Sequence, residues 1–294
     1  MANARALDKR RKSIRNIRKI TRTMELIATA RYKKAMDRAA AVTAYTEQIT
    51  KVVSRLVAAG AEIQHPLLEV REQPETARLL VLASNRGLCG GYNASILRTV
   101  MPHVEEMKRA VPNLIVDASG KRGVNGLKYR GLATEQQFLQ FEDQPPYDDV
   151  EKIASEYLRQ YATGEIDRLD VVYTKFISTS RQIAVVETLL PLGSLQAEGT
   201  GVADASSSTE FEFLPSAESI LEEIIPTSFK VKLFKCFLDA AVSEQVARMV
   251  AMKGATESAG DMIKQLSTAY NRARQSQITG EIMEIIGGVE ALSK

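Results

Sequence analysis

The stretch of sequence most suggestive of chemistry is SNRGLCGGYN, at residues 84–93. It follows an apolar run typical of a strand and precedes a helical pattern, which is where phosphate-binding loops lie. Its glycines fit neither the dinucleotide fingerprint GxGxxG nor the P-loop GxxxxGK[ST]. GKRG, at 120–123, has Lys121 but no Ser or Thr after it. We therefore interpret residues 84–93 as a tight strand-to-helix turn, whose glycines serve positive φ angles and close packing.

Other residue types that could support catalysis or metal binding occur without the spacing that such chemistry needs. Asp148 and Asp149 follow two prolines and suit the first turn of a helix better than a catalytic carboxylate pair. No GxSxG motif is present. The histidines and cysteines are too few and too scattered for a zinc site or a disulfide framework: His65, His103, Cys89 and Cys236. The sequence thus predicts no catalytic residue, no metal and no cofactor.

Charge is distributed unevenly along the 294 residues. The net charge is only +3, but residues 1–38 contain 13 Lys or Arg and three acidic residues, a balance of +10. One end of the chain is therefore suited to meet anions. The basic start lacks the apolar segment of a secretory signal and runs directly into a helical pattern, which argues against a removable leader. No apolar run approaches the roughly 18 residues that span a membrane.

The elements that position these residues begin with two long terminal helices. Residues 1–59 contain neither Gly nor Pro, which predicts one helix of about 55 residues, roughly 80 Å long. Residues at three-and-four spacing form its predicted apolar seam, namely Ile14, Ile17, Thr21, Met24, Ala28 and Ala35. Arg31 occupies a position where the seam should pass. A second Pro-free stretch, 227–294, predicts another long helix, with the seam Leu238, Val242, Gln245, Met249, Met252, Thr256, Ala259, Ile263, Leu266, Tyr270 and Ala273.

Between the two helices, strand-like and helix-like patterns alternate. Strands are predicted at 77–85, 113–120, 168–176 and 182–192, and helices at 92–110, 121–130 and 149–163. This alternation predicts an α/β domain with a largely parallel sheet. Residues 197–213, rich in Gly, Ser and acidic side chains, predict an exposed, mobile loop.

The order of these elements predicts the fold. A chain that leaves on one long helix and returns on another pairs them antiparallel, so we expect an antiparallel two-helix coiled coil from residues 1–60 and 214–294. A central Rossmann-like α/β domain, residues 61–213, would form its foot. A mechanical or scaffolding element in a protein assembly, a nucleic-acid-binding protein and a helix lying on an anionic membrane all remain open. The last two are less favoured, because Tyr32 is the only aromatic residue near the basic cluster.

Three segments of the chain resemble the gamma subunits of F-type ATP synthases. They are IRNIRKITRTMELIATARYKKA at 14–35, SNRGLCGGYN at 84–93, and SEQVARMVAMKGATESAGDMIKQLSTAYNRARQSQITGEIMEI at 243–285. The similarity runs through the whole chain in order. It implies the same architecture, an antiparallel coiled coil with an α/β foot.

The resemblance also implies a function. Members of that family form the central rotor inside a ring of three alpha and three beta subunits, and their foot, with the epsilon subunit, sits on the membrane ring of c subunits. Ion flow turns the rotor, and the rotor drives the beta subunits through their conformations during ATP synthesis. The subunit itself binds no nucleotide and performs no chemistry. The lack of a leader favours a bacterial member of the family, which would lie at the cytoplasmic face of the inner membrane and be held there only through the c ring.

Particular residues match the family's contacts with beta subunits. On the first helix these are Lys19, Arg22, Met24 and Arg31. On the last helix Arg248 matches a further contact, and Arg274 and Gln275 match a pair that meets a loop of beta, followed by Thr279 and Glu281. Segment 197–213 is where the resemblance places the meeting of the foot with epsilon or the c ring.

Overall fold

A computed structural model describes residues 4–58, 66–69, 71, 73–142, 144–192 and 217–292. The predicted loop 197–213 and His65 lie outside the described residues, as do both borders predicted for the central domain. The chain divides into two units that we describe separately. The first comprises Met1–Thr29 and Arg248–Lys294, and the second Ala30–Ala247.

Five helices and five strands form the described parts of the chain. The helices are α1 (Ala4–Ala58), α2 (Tyr92–Ala110), α3 (Lys121–Tyr129), α4 (Tyr147–Thr163) and α5 (Ala217–Leu292). The strands are β1 (Thr76–Leu82), β2 (Asn113–Ser119), β3 (Gln137–Phe138), β4 (Arg168–Ser178) and β5 (Arg181–Leu190). The predicted long terminal helices with a central α/β domain are confirmed. Asp148 and Asp149 lie in the first turn of α4, as the sequence predicts.

The second unit contains a five-stranded sheet in the order β3-β2-β1-β4-β5. Its β1–β2, β2–β3 and β1–β4 pairs are parallel, and β5 pairs with β4 antiparallel. The parallel part has the doubly wound order of Rossmann-like domains. Because an adjacent antiparallel strand needs only a short turn, β4 and β5 follow each other directly, whereas each parallel crossover contains a helix.

Each face of the sheet is covered by helices, and this explains why strand β1 reads as a continuous apolar run. On one face Leu79 and Val81 pack with α2 residues such as Ile96 and Val100. On the other face α4 and the first part of α5 form the core, with Tyr157, Tyr161, Phe229, Leu233 and Phe237 buried there. Both cysteines, Cys89 and Cys236, are buried and unpaired.

Two details of this unit differ from the sequence prediction. Helix α5 begins at Ala217, ten residues before the predicted start at 227, with Pro226 inside the helix. The buried side chain of Ile225 belongs to the core of the sheet, so tertiary packing supports the helix across the proline. Strand β3 was not predicted, because its two residues are too few to produce an alternating pattern.

Also in the second unit, α1 packs directly against α5. Ala35 and Ala39 of α1 form an apolar cluster with Leu238 and Val242 of α5. Tyr32 joins this cluster and contacts the ring of Phe176, with 6.4 Å between ring centroids. The short side chains of the α1 alanines thus pack against larger apolar side chains of α5.

In the first unit the same two helices run antiparallel. Arg11 of α1 lies over the ring of Tyr270, and Thr21 lies beside Thr256. Residues further along α1 therefore contact residues earlier in α5. Every predicted seam residue of α5 from 238 to 273 is buried or half-buried. The predicted seam of α5 is therefore confirmed.

The predicted seam of α1 is wrong at two positions. Ile17 and Met24 are exposed, at 47% and 37%, although they were assigned to the seam. Glu25 faces inward instead, with its side chain only 12% exposed. Helix α1 has a second apolar stripe at helical spacing, Ile17, Ile20, Met24 and Ile27, which faces solvent in this chain. The sequence pattern merged the two stripes, because both advance by three and four residues.

Candidate interaction surface of the terminal helices

The first unit has a basic groove between α1 and α5, with a volume of about 1170 Å³. It is lined by Lys12, Arg15, Asn16, Arg18, Lys19, Arg22 and Thr23 from α1, and by Thr256 and Ile263 from α5. The basic residues on α1 follow a three-and-four spacing, which places them along one side of the helix. Only Lys19 and Arg22 among them were predicted as contact residues. The spacing of Arg15, Arg18, Lys19 and Arg22 was the signal that could have identified the others.

The cations of this groove differ in how far their charge is compensated. Arg22 Nη1 donates to Glu25 Oε1 at 2.7 Å, and Lys12 Nζ lies 3.0 Å from Asp8 Oδ2. Arg15, Arg18 and Lys19, in contrast, have no carboxylate within ion-pair distance among the residues that the structure describes. Uncompensated like charges in a concave surface create a field that attracts an anionic partner.

Two of the predicted contact residues, Arg31 and Arg248, lie outside this groove. Arg248 is half-buried at the start of the α5 segment that belongs to the first unit. Arg31 belongs to the second unit and is half-buried on α1, one residue before the seam residue Tyr32. Met24, in the exposed stripe of α1, completes the set predicted near this end of the helix.

The predicted residues at the far end of α5 are all exposed. The seam of α5 ends at Ala273, and residues 274–289 are exposed without interruption. Arg274, Gln275 and Thr279 lie in this segment, where Gln277 Nε2 also donates to Glu281 Oε1 at 2.9 Å. Large apolar side chains accompany them: Ile278, Ile282, Met283, Ile285, Ile286 and Val289. This run of exposed apolar side chains makes the segment a candidate interaction surface.

The turn at residues 84–93 has the tight geometry that the sequence predicts. Gly90 has a φ angle of 57°, and a Cβ on Gly87 would lie 3.1 Å from Arg122 Nη2. Gly91 has a φ angle of −84°, which other residues also adopt, so its position does not require a glycine for a positive φ angle. The hydroxyl of Ser84 donates to the carbonyl of Arg86 at 2.7 Å, and Asn93 Nδ2 donates to Ser84 Oγ at 2.8 Å. These polar groups bond to one another, as in a structural turn.

Two kinds of site are absent from the described parts of the chain. No group of three or more His, Cys, Asp or Glu side chains stands close enough to hold a metal ion there. Within the same residues, no helix is long and apolar enough to cross a membrane.

Comparisons with solved structures show that this chain shares its fold with two chains of a mitochondrial ATP synthase. A chain of the Euglena gracilis mitochondrial ATP synthase, from a structure of OSCP, F1 and c ring, superposes with a TM-score of 0.69 at 19% identity. The superposition covers 98% of this chain and 94% of that one. A chain of the rotor of the same enzyme gives a TM-score of 0.64 at 18% identity, over 94% and 98% of the two chains.

Comparisons at the level of sequence establish the family. A family model described as ATP synthase matches residues 3–292. The ATP synthase gamma chain of Rhodopirellula baltica is 81% identical over 294 residues, 99% of each chain, and that of Leptospira biflexa is 37% identical over the whole of both chains. This chain belongs to the ATP synthase gamma-chain family. The resemblance inferred from sequence motifs is thereby confirmed, and the comparisons give no support to the nucleic-acid-binding alternative.

Proposed function

We propose that this chain is the central rotor subunit of an F-type ATP synthase. It turns inside three alpha and three beta subunits and, together with epsilon, connects them to the c ring. Rotation driven by ion flow through the membrane then cycles the beta subunits through ATP synthesis, and ATP hydrolysis reverses it. The observation that carries this proposal is the 81% identity to an ATP synthase gamma chain over nearly the whole length of both chains.

The subunit itself is non-catalytic in this proposal. Its most nucleotide-like stretch, residues 84–93, is a turn whose polar side chains bond to one another. It associates with the membrane only through the c ring, at the cytoplasmic face of a bacterial inner membrane. ATP synthesis and hydrolysis take place on the beta subunits.

The contact with beta has two parts. On α1, Lys19, Arg22, Met24 and Arg31 contact an acidic segment of beta, and Arg248 on α5 makes a further contact with beta. Charge attraction falls off slowly with distance, so it tolerates the change of position that rotation demands. At the exposed end of α5, Arg274 and Gln275 form a polar catch on beta, together with Thr279 and Glu281. Arg suits carboxylates because its planar guanidinium donates two parallel hydrogen bonds.

Co-purification tests this proposal directly. The tagged chain, expressed with the alpha, beta and epsilon subunits of its own organism, is expected to bring down all three in a fixed ratio and to support ATP-driven ion pumping when membranes with the c ring are added. The purified chain alone is expected to hydrolyse no ATP. Failure to form the complex, or turnover by the chain free of beta, would contradict the proposed role.

A further inference from the structure

A largely buried charged cluster interrupts the seam of the first unit near the point where the seam ends. Arg11 occupies a seam position of α1, between the half-buried residues Leu7 and Ile14. Its Nη2 lies 2.5 Å from Asp8 Oδ1, and the Arg11 and Asp8 side chains are only 19% and 23% exposed. On the facing helix, the Arg11 guanidinium carbon stands 4.7 Å from the centroid of the Tyr270 ring.

This cluster is poorly explained as a device for stability. Replacement of a buried ion pair by apolar residues of similar volume is often neutral or stabilising, because the desolvation penalty disappears. Arg11 Nε is moreover buried without a hydrogen-bond partner among the residues that the structure describes. An apolar residue at position 11 would bury neither a charge nor an unbonded polar atom between the two helices.

The apolar residues around the cluster do not by themselves determine the register of α5 against α1. Leu7 and Ile14, on either side of Arg11, are seven residues apart, which is one heptad of a helical seam. Apolar burial is non-directional, and a shift of one heptad between the helices would place Leu7 where Ile14 now packs, with a side chain of the same size. Ala4 on α1 and Ala273 on α5 have too little volume to oppose such a shift. A single polar or charged seam residue, in contrast, specifies register at some cost in stability.

We propose that Arg11 is a positioning residue, which together with Asp8 and Tyr270 fixes the register and rotation of α5 against α1. A guanidinium that is held by a carboxylate on its own helix can stack on only one ring of the opposite helix. A shift of α5 by one heptad would place Ile263 or Gln277 opposite this largely buried cation, without the attraction of the ring face. The cluster thus excludes neighbouring registers more than it stabilises the correct one.

The position of Tyr270 in α5 determines which residues a change of register would displace. Tyr270 lies one helical turn before Arg274, and Ala273 is the one seam residue between it and the exposed segment 274–289. A rotation or shift of α5 at Tyr270 would therefore move Arg274 and Gln275 by the same amount. This mechanical consequence rests on the proposed function, whereas the register role itself does not.

Spin labels on the two helices provide the test. The full chain carries Lys9→Cys and Thr268→Cys, both at exposed positions, in a background with Ala at the two buried native cysteines. With Arg11 intact, double electron–electron resonance is expected to give one narrow distance distribution. Arg11→Leu is expected to broaden it or add a second distance, while the thermal midpoint stays equal or rises. Arg10→Leu, at an exposed neighbouring position, and Tyr270→Phe, which keeps the ring, are expected to leave the distribution unchanged.

The outcomes separate the register role from a merely structural one and from the proposed function. One narrow distribution in Arg11→Leu, or loss of its helical dichroism, would overturn the register role, because the residue would then be dispensable or required for folding. In assembled complexes, Arg11→Leu is expected to slow ATP-driven ion pumping about two- to fivefold, which corresponds to roughly 0.4–1 kcal/mol in the rate-limiting barrier. A broadened distribution with unaltered pumping would uphold the register role and contradict only the contact proposed for Arg274 and Gln275.

Discussion

The hydroxyl oxygens of Thr21 on α1 and Thr256 on α5 lie 2.9 Å apart, in direct hydrogen-bond contact across the two helices. Each hydroxyl also approaches a carbonyl of its own helix, Arg18 at 3.2 Å and Met252 at 2.8 Å. Since each hydroxyl has one proton, one threonine donates across the interface and the other donates within its helix. The polar seam position that the sequence predicted at Thr256 therefore has a matched partner.

This pairing predicts an asymmetry between single and double substitutions. Thr21→Val or Thr256→Val alone removes the hydrogen bond across the interface and leaves the other hydroxyl bonded only within its own helix, so each is expected to lower the free energy of unfolding by about 1 kcal/mol. The double substitution removes both groups and is expected to cost less than either single change. Urea unfolding of the full chain gives the free energy of unfolding for each single variant and for the double variant. Strictly additive losses would show that the two hydroxyls do not interact.

The basic groove predicts a salt-dependent coupling defect. Arg15→Glu combined with Lys19→Glu reverses two uncompensated cations, whereas Lys33→Glu combined with Lys34→Glu makes the same change of charge at exposed positions further along α1. Exposed charge pairs contribute roughly 0.2–1 kcal/mol each, so the groove variant is expected to slow ATP-driven pumping roughly fivefold.

Salt provides the internal control for that prediction. High salt screens charge attraction between exposed groups, and the difference between the two variants is expected to shrink as the salt concentration rises. Equal pumping by the two variants at low salt would remove the groove from the contact with beta.

The exposed end of α5 predicts a position-specific loss of turnover. Arg274→Ala with Gln275→Ala removes the proposed catch, and hydrogen bonds to charged groups contribute about 1.5–3 kcal/mol. If the catch acts on the rate-limiting rotation, ATP turnover by assembled complexes is expected to fall at least about tenfold. Asn271→Ala with Arg272→Ala, one turn earlier, removes the same two kinds of group and is expected to leave turnover unchanged. Equal losses in both variants would argue for a general effect of charge or helix stability.

Asp239 predicts a pH dependence of stability. Burial is the main cause that raises the pKa of this α5 carboxyl to about 6. The nearby Lys235 and Lys175 lower the pKa, and Glu187 raises it further. The folded state therefore retains a proton that the unfolded state has already released between about pH 4 and pH 6. Stability from this residue is complete below about pH 4 and falls as the pH rises to about 6.

A neutral isostere tests the sign of that effect. Asp239→Asn is expected to be more stable than the unaltered chain at pH 8, by on the order of 2 kcal/mol, and to match it near pH 4. Asp261→Asn, at an exposed position of the same helix, is expected to show no such difference. Urea unfolding at both pH values measures all three proteins. A difference that does not change with pH would contradict the assignment to Asp239.

Periodicity predicted the extent of the long helices and the seam of α5 well, because apolar residues recur there at helical spacing. The α5 seam is correct at every position, and α2 occupies the predicted residues 92–110. The α1 seam failed at Ile17 and Met24, since a second apolar stripe shares its spacing and only the position of the partner helix distinguishes them. The inward-facing Arg11 and Glu25 could not be predicted, because charged residues carry no signal for burial until their partners are known. For Arg11 those partners are Asp8 on its own helix and Tyr270 at the other end of the chain.

The long separation between paired helices has a consequence for synthesis on the ribosome. Thr21 and Thr256 are 235 residues apart in sequence, so α1 emerges from the ribosome long before its partner segment of α5 exists. At about 5–20 residues per second, this delay lasts on the order of tens of seconds. A nascent helix with an unbroken leucine seam would be prone to self-association during that time. The seam of α1 is instead interrupted by small and charged residues, among them Arg11, Glu25, Ala28 and Ala35, and this reduces the apolar area that the unpaired seam exposes before α5 has been translated.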